Sequence, residues 1–214
     1  MRIKRKVPMY IAVQLECTFG CKRAWLPLPA NQARFQETIE KIDGDYGCFK
    51  IKEYNCRVPA MGRDMLAITP LSVVNYLAAR LNKLTDDEIL KLCAVCDSDY
   101  YFDRVGQFID YTFQTGCYTL LPGVTDEEAL GKYYIGDPKN YIADVVLKQI
   151  IDHREYGKRL AEAENGVFTA HGYLTSSIGW DLPPTERRVP DSLNLKGYIG
   201  EDLYGNWNEY DKAI

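Results

Sequence analysis

The chain has no long hydrophobic run: no window of its 214 residues approaches the ~18 consecutive apolar residues of a membrane span. The opening Met1-Arg2-Ile3-Lys4-Arg5-Lys6 leads into mixed sequence rather than the apolar segment of a signal peptide, so a soluble, cytoplasmic protein is expected. Histidine is scarce. Only His153 and His171 are available for imidazole chemistry, and each lies in a segment where an ordinary structural role accounts for it. There is no Walker loop, no Gly-x-Gly-x-x-Gly, no His-Glu-x-x-His and no Gly-x-Ser-x-Gly, which weakens an enzymatic reading. Cysteines 17, 21, 48, 56, 93, 96 and 117 are odd in number, which fits no complete disulfide framework and suits a reducing compartment.

What is present fills real cores: 46% of residues are apolar, 26% are charged, and the aromatics lean on 16 tyrosines. The net charge of −4 is unevenly spread. Residues 1–84 hold 14 Lys/Arg and 7 Asp/Glu, residues 85–155 hold 6 and 14, and residues 156–214 hold 6 and 9. The chain is basic first and acidic afterwards, either because solvated faces differ or because a partner meets the negative part.

Residues 9–15 read as a strand, and Trp25-Leu26-Pro27-Leu28-Pro29 as extended, because each proline disfavours helix at the residue before it. Asn31 can cap a helix with Phe35, Ile39 and Ile42 on one face, and Tyr46 to Tyr54 reads as another strand. These make a small α+β unit over 8–62. A helical unit is expected over 66–114: a stripe of Val73, Val74, Leu77, Leu81 and Leu84, a capping box at Thr85-Asp86-Asp87-Glu88 opening a helix through Cys96, and a third helix from Ser98 to about Phe113. A second α+β unit follows over 115–178. It comprises a strand at 116–121, a capping box at Thr125-Asp126-Glu127-Glu128 opening a short helix to about Tyr134, helices over 140–151 and 153–164, and one closing strand over 167–175. Residues 180–214 lack a sustained period and read as an extended tail. The fold class expected is α+β, elongated, with small α+β units flanking a helical one.

Cys93-Ala-Val-Cys96 has metal-ligand spacing, and Cys17 and Cys21 could complete a four-cysteine zinc site. On a helix, however, the pair extends an apolar stripe and reads better as buried thiols, so no metal and no cofactor is expected. Arg2, Lys4, Arg5, Lys6, Lys22, Arg23, Lys50 and Lys52, with Tyr10, Trp25 and Tyr54, could touch phosphates and stack bases, though they equally make a solvated arm and the polar face of a sheet. The acidic stretch is more unusual. Asp99 and Asp103 fall at i and i+4 on the expected third helix, with Asp110 a heptad beyond Asp103, and like charges so spaced destabilise a helix. Carboxylates spread over helices can loosely imitate the density of DNA phosphates. Asp86, Asp87, Glu88, Asp126, Glu127 and Glu128 have a simpler explanation as first-turn acids favoured by the helix dipole.

The order of these segments resembles the ArdA antirestriction family. The resemblance is carried by a first strand followed by Trp25-Leu26-Pro27-Leu28-Pro29 and a helix, Phe49-Lys-Ile-Lys-Glu-Tyr54, and the helical middle. It continues through Leu130-Gly131-Lys-Tyr-Tyr134, Ile151-Asp152-His-Arg-Glu-Tyr156-Gly157-Lys-Arg-Leu160 and Gly172-Tyr173-Leu174, over about residues 8–178. It implies a non-enzymatic homodimer of a mobile genetic element that evades host defence by imitating duplex DNA. Its partner would be a type I restriction-modification enzyme, whose DNA-binding site it occupies, with no direct binding of nucleic acid and no membrane. By this analogy Asp99, Asp103, Asp110, Asp137 and Asp144 are the better phosphate mimics, with the six capping acids as auxiliaries. This chain is less acidic than the family's pattern and carries 180–214 as an extension. Two alternatives stay open: a nucleic-acid-binding accessory protein of a mobile element, and an inhibitor of another defence complex such as a CRISPR effector.

Overall fold

A computed structural model describes residues 11–18, 20–42, 49–100, 102–136, 150–180 and 189–195. The described residues are α+β, combining helices with two small antiparallel sheets. In chain order they run β1 (Ile11–Cys17), β2 (Arg23–Leu28), α1 (Gln32–Lys41), β3 (Phe49–Cys56), α2 (Arg63–Ala67), α3 (Leu71–Leu81), α4 (Asp86–Cys96) and α5 (Val105–Gln114). Then come β4 (Tyr118–Pro122), α6 (Glu127–Gly136), α7 (His153–Glu164), β5 (Val167–Thr169) and β6 (Gly172–Ser176). Packing divides the chain into two units: residues 1–84, 103–109 and 185–214, and residues 85–102 and 110–184. The segment 66–114 that reads as one helical unit is thus shared between them. Of the helix expected over 140–151, residues 140–149 lie outside the described residues.

The first unit is built on a sheet of order β2-β1-β3. Its centre strand is covered on both faces, with Ile11, Val13 and Leu15 on one side and Ala12 and Glu16 on the other. Antiparallel register sets Leu28, Leu26 and Ala24 opposite Ile11, Val13 and Leu15, so these share a face. On the other edge the register shifts between Gln14 and Leu15, leaving Lys52 without an opposite residue. This bulge inverts the alternation of β3, and so both Phe49 and Ile51 before it and Tyr54 and Cys56 after it join the apolar face. Asn31 caps α1 as its sequence suggests, its side chain accepting from the Arg34 amide, and Phe35 and Ile39 are buried. Phe35 meets Phe49 edge to face, with centroids 5.6 Å apart.

Asn75, wholly buried on α3, ties this unit together. Its Oδ1 accepts from the Ala30 amide at 2.7 Å, and its Nδ2 donates to the carbonyls of Ala30 and Leu193, each at 2.8 Å. The last bond ties residues 189–195, within the stretch read as an extended tail, to α3. Asp191–Leu193 forms a short 3-10 turn, Leu195 is fully buried, and its amide donates to Ser72 Oγ.

In the second unit the sheet order is β4-β6-β5. The single closing strand expected over 167–175 is instead a hairpin, because Gly172 takes φ +136 and the Thr169 hydroxyl donates to the Gly172 carbonyl across the two-residue loop. A Cβ at Gly172 would stand 2.3 Å from the Leu121 carbonyl oxygen. Helices α6 and α7 cross at two glycines, Gly131 against the His153 carbonyl and Gly157 against that of Glu127. Tyr111, Tyr118 and Tyr173 are the largest buried side chains here. The capping box at Thr85 and Glu88 forms with both halves present.

Two expected helix starts are corrected. The third helix begins at Val105, not Ser98: the Ser98 hydroxyl donates to the Val95 carbonyl and accepts from the Tyr100 amide, which closes a turn. The amides of Asp103 and Arg104 are satisfied by Gln107 Oε1 from inside the helix, the return half of a capping box. For α6 the cap is Asp126, not Thr125, since Asp126 Oδ1 accepts from the Ala129 amide at 2.7 Å.

Candidate functional site

Helix α4 carries acids at both ends, for opposite physical reasons. Asp86 and Asp87 sit in its first turn, where the partial positive charge of the helix N-terminus favours them. Asp97 caps its other end and Asp99 follows in the turn, where the dipole opposes negative charge and the last turn offers no basic residue. His171 Nε2 lies 3.1 Å from Asp97 Oδ2. Asp86, Asp87 and Asp99 are exposed and make no ion pair or hydrogen bond within the described residues. Eleven residues of helix separate the two groups by about 16 Å.

The other sequence candidates are occupied or placed elsewhere. Glu88 belongs to the fold: Oε1 accepts from the Thr115 hydroxyl at 2.6 Å, and Oε2 accepts from the Thr85 amide and hydroxyl at 2.7 and 2.9 Å. Those bonds, Thr115 foremost, hold its carboxyl below the ordinary value. Glu127 pairs with Arg154 at 3.0 Å, and Glu128 pairs with Lys132 one turn along. Asp103, in the first unit, is not helical and contacts Arg104 at 3.3 Å, so the i, i+4 relation with Asp99 does not exist. Asp110 has no exposed surface and drops out as a surface mimic: on α5 it turns inward with Ile109 and Tyr111. Asp137 and Asp144 lie outside the described residues. Two further exposed acids of the second unit, Asp97 and Glu162 of α7, are not among the sequence candidates. Asp97 could have been found, because an acid at a helix C-terminus contradicts the dipole rule, but Glu162 carries no such signal.

The basic candidates of the first unit are partly neutralised. Glu16 stands opposite Arg23 and Lys50 on the sheet and pairs with them at 2.8 and 3.6 Å. Burial alone would raise the Glu16 carboxyl, but Arg23, Lys50 and Lys52 hold it below its ordinary value. Trp25, 42% exposed, edges a depression of about 540 Å³ with Pro27, Arg34 and Lys41. Tyr54 is on the opposite face of the sheet from Trp25, so the two rings do not form one stacking surface. Tyr10 and the four cations of residues 2–6 lie outside the described residues.

Cys93 and Cys96 stand one turn apart on α4 and are half-buried. Burial raises both thiols, that of Cys96 to about 12, which opposes the thiolate that a metal or a nucleophilic role requires. Among the described residues no three His, Cys, Asp or Glu side chains are grouped to hold a metal ion. Nor is any described helix long and apolar enough to cross a membrane.

Fold and surface together define a two-unit α+β protein whose second unit presents exposed carboxylates at both ends of one helix. Residues 21–175 match the family model described as antirestriction protein (ArdA), and the chain belongs to that family. It is thereby an antirestriction protein, of a class that inhibits restriction enzymes. No curated protein matches the chain.

Proposed function

We propose that this protein inhibits a type I restriction-modification enzyme as a DNA mimic, with the second unit occupying the enzyme's DNA-binding site. The observation that carries the reading is the set of exposed carboxylates Asp86, Asp87 and Asp99 at the two ends of α4, which pair with no side chain among the described residues. Two of the three sit where the helix dipole favours acids, but Asp99, like its neighbour Asp97, sits where stability does not ask for one. A separation of about 16 Å matches roughly five phosphate steps along one DNA strand, which a cleft lined with Lys and Arg is built to meet. Asp97 and Glu162 join the surface as auxiliaries, while Glu88 and Asp126 keep their capping roles. Action as a homodimer in the cytoplasm, on behalf of a mobile element, belongs to the same reading.

The test is the plating efficiency of unmodified phage on cells carrying a type I restriction system, with and without the protein. Relief of restriction is expected with the native chain, and the triple reversal D86K/D87K/D99K should abolish most of it at equal expression. Full relief by the reversed variant would remove the carboxylate mechanism. Absence of relief by the native chain across several type I specificities would redirect the reading to another defence complex.

A further inference from the structure

The second unit keeps two aromatic rings at its surface that its core does not use. Tyr100 and Trp180 are stacked, their centroids 4.6 Å apart and their planes within 6° of parallel. Tyr100 is 43% exposed. The indole is held in place by its N–H, which donates to the Asn165 carbonyl at 3.0 Å, at the left-handed residue that ends α7. Tyr100 directly follows Asp99, and Asp97 is three residues before it, with one of its oxygens on His171. Trp180 lies just beyond residue 175, where the family match ends, and stacks its ring on Tyr100 beside Asp99.

A fixed aromatic platform beside carboxylates discriminates between cations. Carboxylates alone serve lysine and arginine alike. A guanidinium is planar and weakly hydrated: it lies flat on a ring face while its N–H fork donates sideways to an acid, whereas an ammonium is a compact, strongly hydrated point charge. We propose that Tyr100, Trp180, Asp97 and Asp99 form a docking site for an arginine side chain on a basic protein partner. The inference rests on the reading of this unit as the surface that meets a restriction enzyme's DNA-binding site. It adds the residue type met there, arginine being abundant in such clefts because it grips phosphates.

Binding of labelled hexa-arginine and hexa-lysine to the full chain, followed by fluorescence anisotropy at one salt concentration, tests the site without any restriction enzyme. Hexa-arginine should bind more tightly than hexa-lysine. Y100A and W180A should each weaken hexa-arginine about 2- to 5-fold and leave hexa-lysine unchanged, while Y100F and W180F keep the preference. Equal binding of the two peptides overturns the proposal, as does hexa-arginine binding that is indifferent to Y100A in protein with a native circular dichroism spectrum. Inhibition assays separate the two ideas. If D86K/D87K/D99K fails to inhibit while Y100A and W180A inhibit like the native chain, the arginine site is wrong and mimicry stands. If all variants inhibit equally, mimicry fails and the peptide result alone decides the arginine site.

Discussion

Single atoms decide several features of the second unit. At the crossing of α6 and α7 a Cβ on Gly157 would lie 1.8 Å from the Glu127 carbonyl oxygen and 2.8 Å from the Gly131 nitrogen. Both are backbone atoms that no rotamer change can move aside, so Gly157→Ala has to push the helices apart. We expect a loss of about 1–3 kcal/mol or more, read as a lower urea midpoint with the slope unchanged. Gly136→Ala, at the end of α6 with nothing among the described residues within 4 Å, is the control and should be neutral or slightly stabilising. That Gly131 and Gly157 are glycines was plain from the chain, but which backbone approached each was not, since the contact joins segments some 26 residues apart. Asn75 is similar. Its place in an otherwise apolar helix, Leu-Ser-Val-Val-Asn-Tyr-Leu, marked it as odd, yet its two partner segments are distant in sequence.

At the scale of elements, helix ends were the most legible parts of the chain, because a cap is a local hydrogen bond between residues three apart. Asn31, Thr85 with Glu88, and the start of α7 at His153 agree with the local reading. The start of α5 does not, because the Ser98 hydroxyl closes a turn on the Val95 carbonyl and the Tyr100 amide, and Gln107 satisfies the Asp103 and Arg104 amides just before Val105. Glu88 also links its element to pH. Its native carboxyl titrates below the ordinary value of 4.5, so the ionised form is favoured by folding. The stability it contributes is complete above that value and is lost as the pH falls through the lower native one. Thermal unfolding from pH 6 to 3 should therefore show a falling melting temperature below about 4.5, with part of that slope absent in E88Q. An identical slope in E88Q would assign the acid sensitivity to other carboxylates.

The whole molecule divides its charge by unit. The first unit holds 19 Lys/Arg against 14 Asp/Glu, and the second 7 against 16. A basic target cleft should discriminate between them. We expect inhibition of restriction to weaken about tenfold or more between 50 and 200 mM salt, following the polyelectrolyte behaviour of the ligand being imitated. Reversals in the second unit should flatten that dependence, whereas Lys50→Glu or Lys52→Glu in the first should leave it unchanged. A dependence set by the first unit instead would mean that its cations, Arg34 and Lys41 beside Trp25 among them, carry the contact.

By itself the sequence determined the α+β class, the family, the uneven charge and most helix caps, because composition, period and capping bonds are local quantities that survive without knowledge of the fold. Only the tertiary structure decided which acids are available. Asp110 and Asp99 look alike in the chain, but one is enclosed in the core and the other is open to water. Asp126, Glu127 and Glu128 look like one acidic run, yet they are a cap and two ion-paired carboxylates. Exposure and pairing depend on what distant segments bring alongside, and the stacking of Trp180 on Tyr100 from eighty residues away is the same kind of fact.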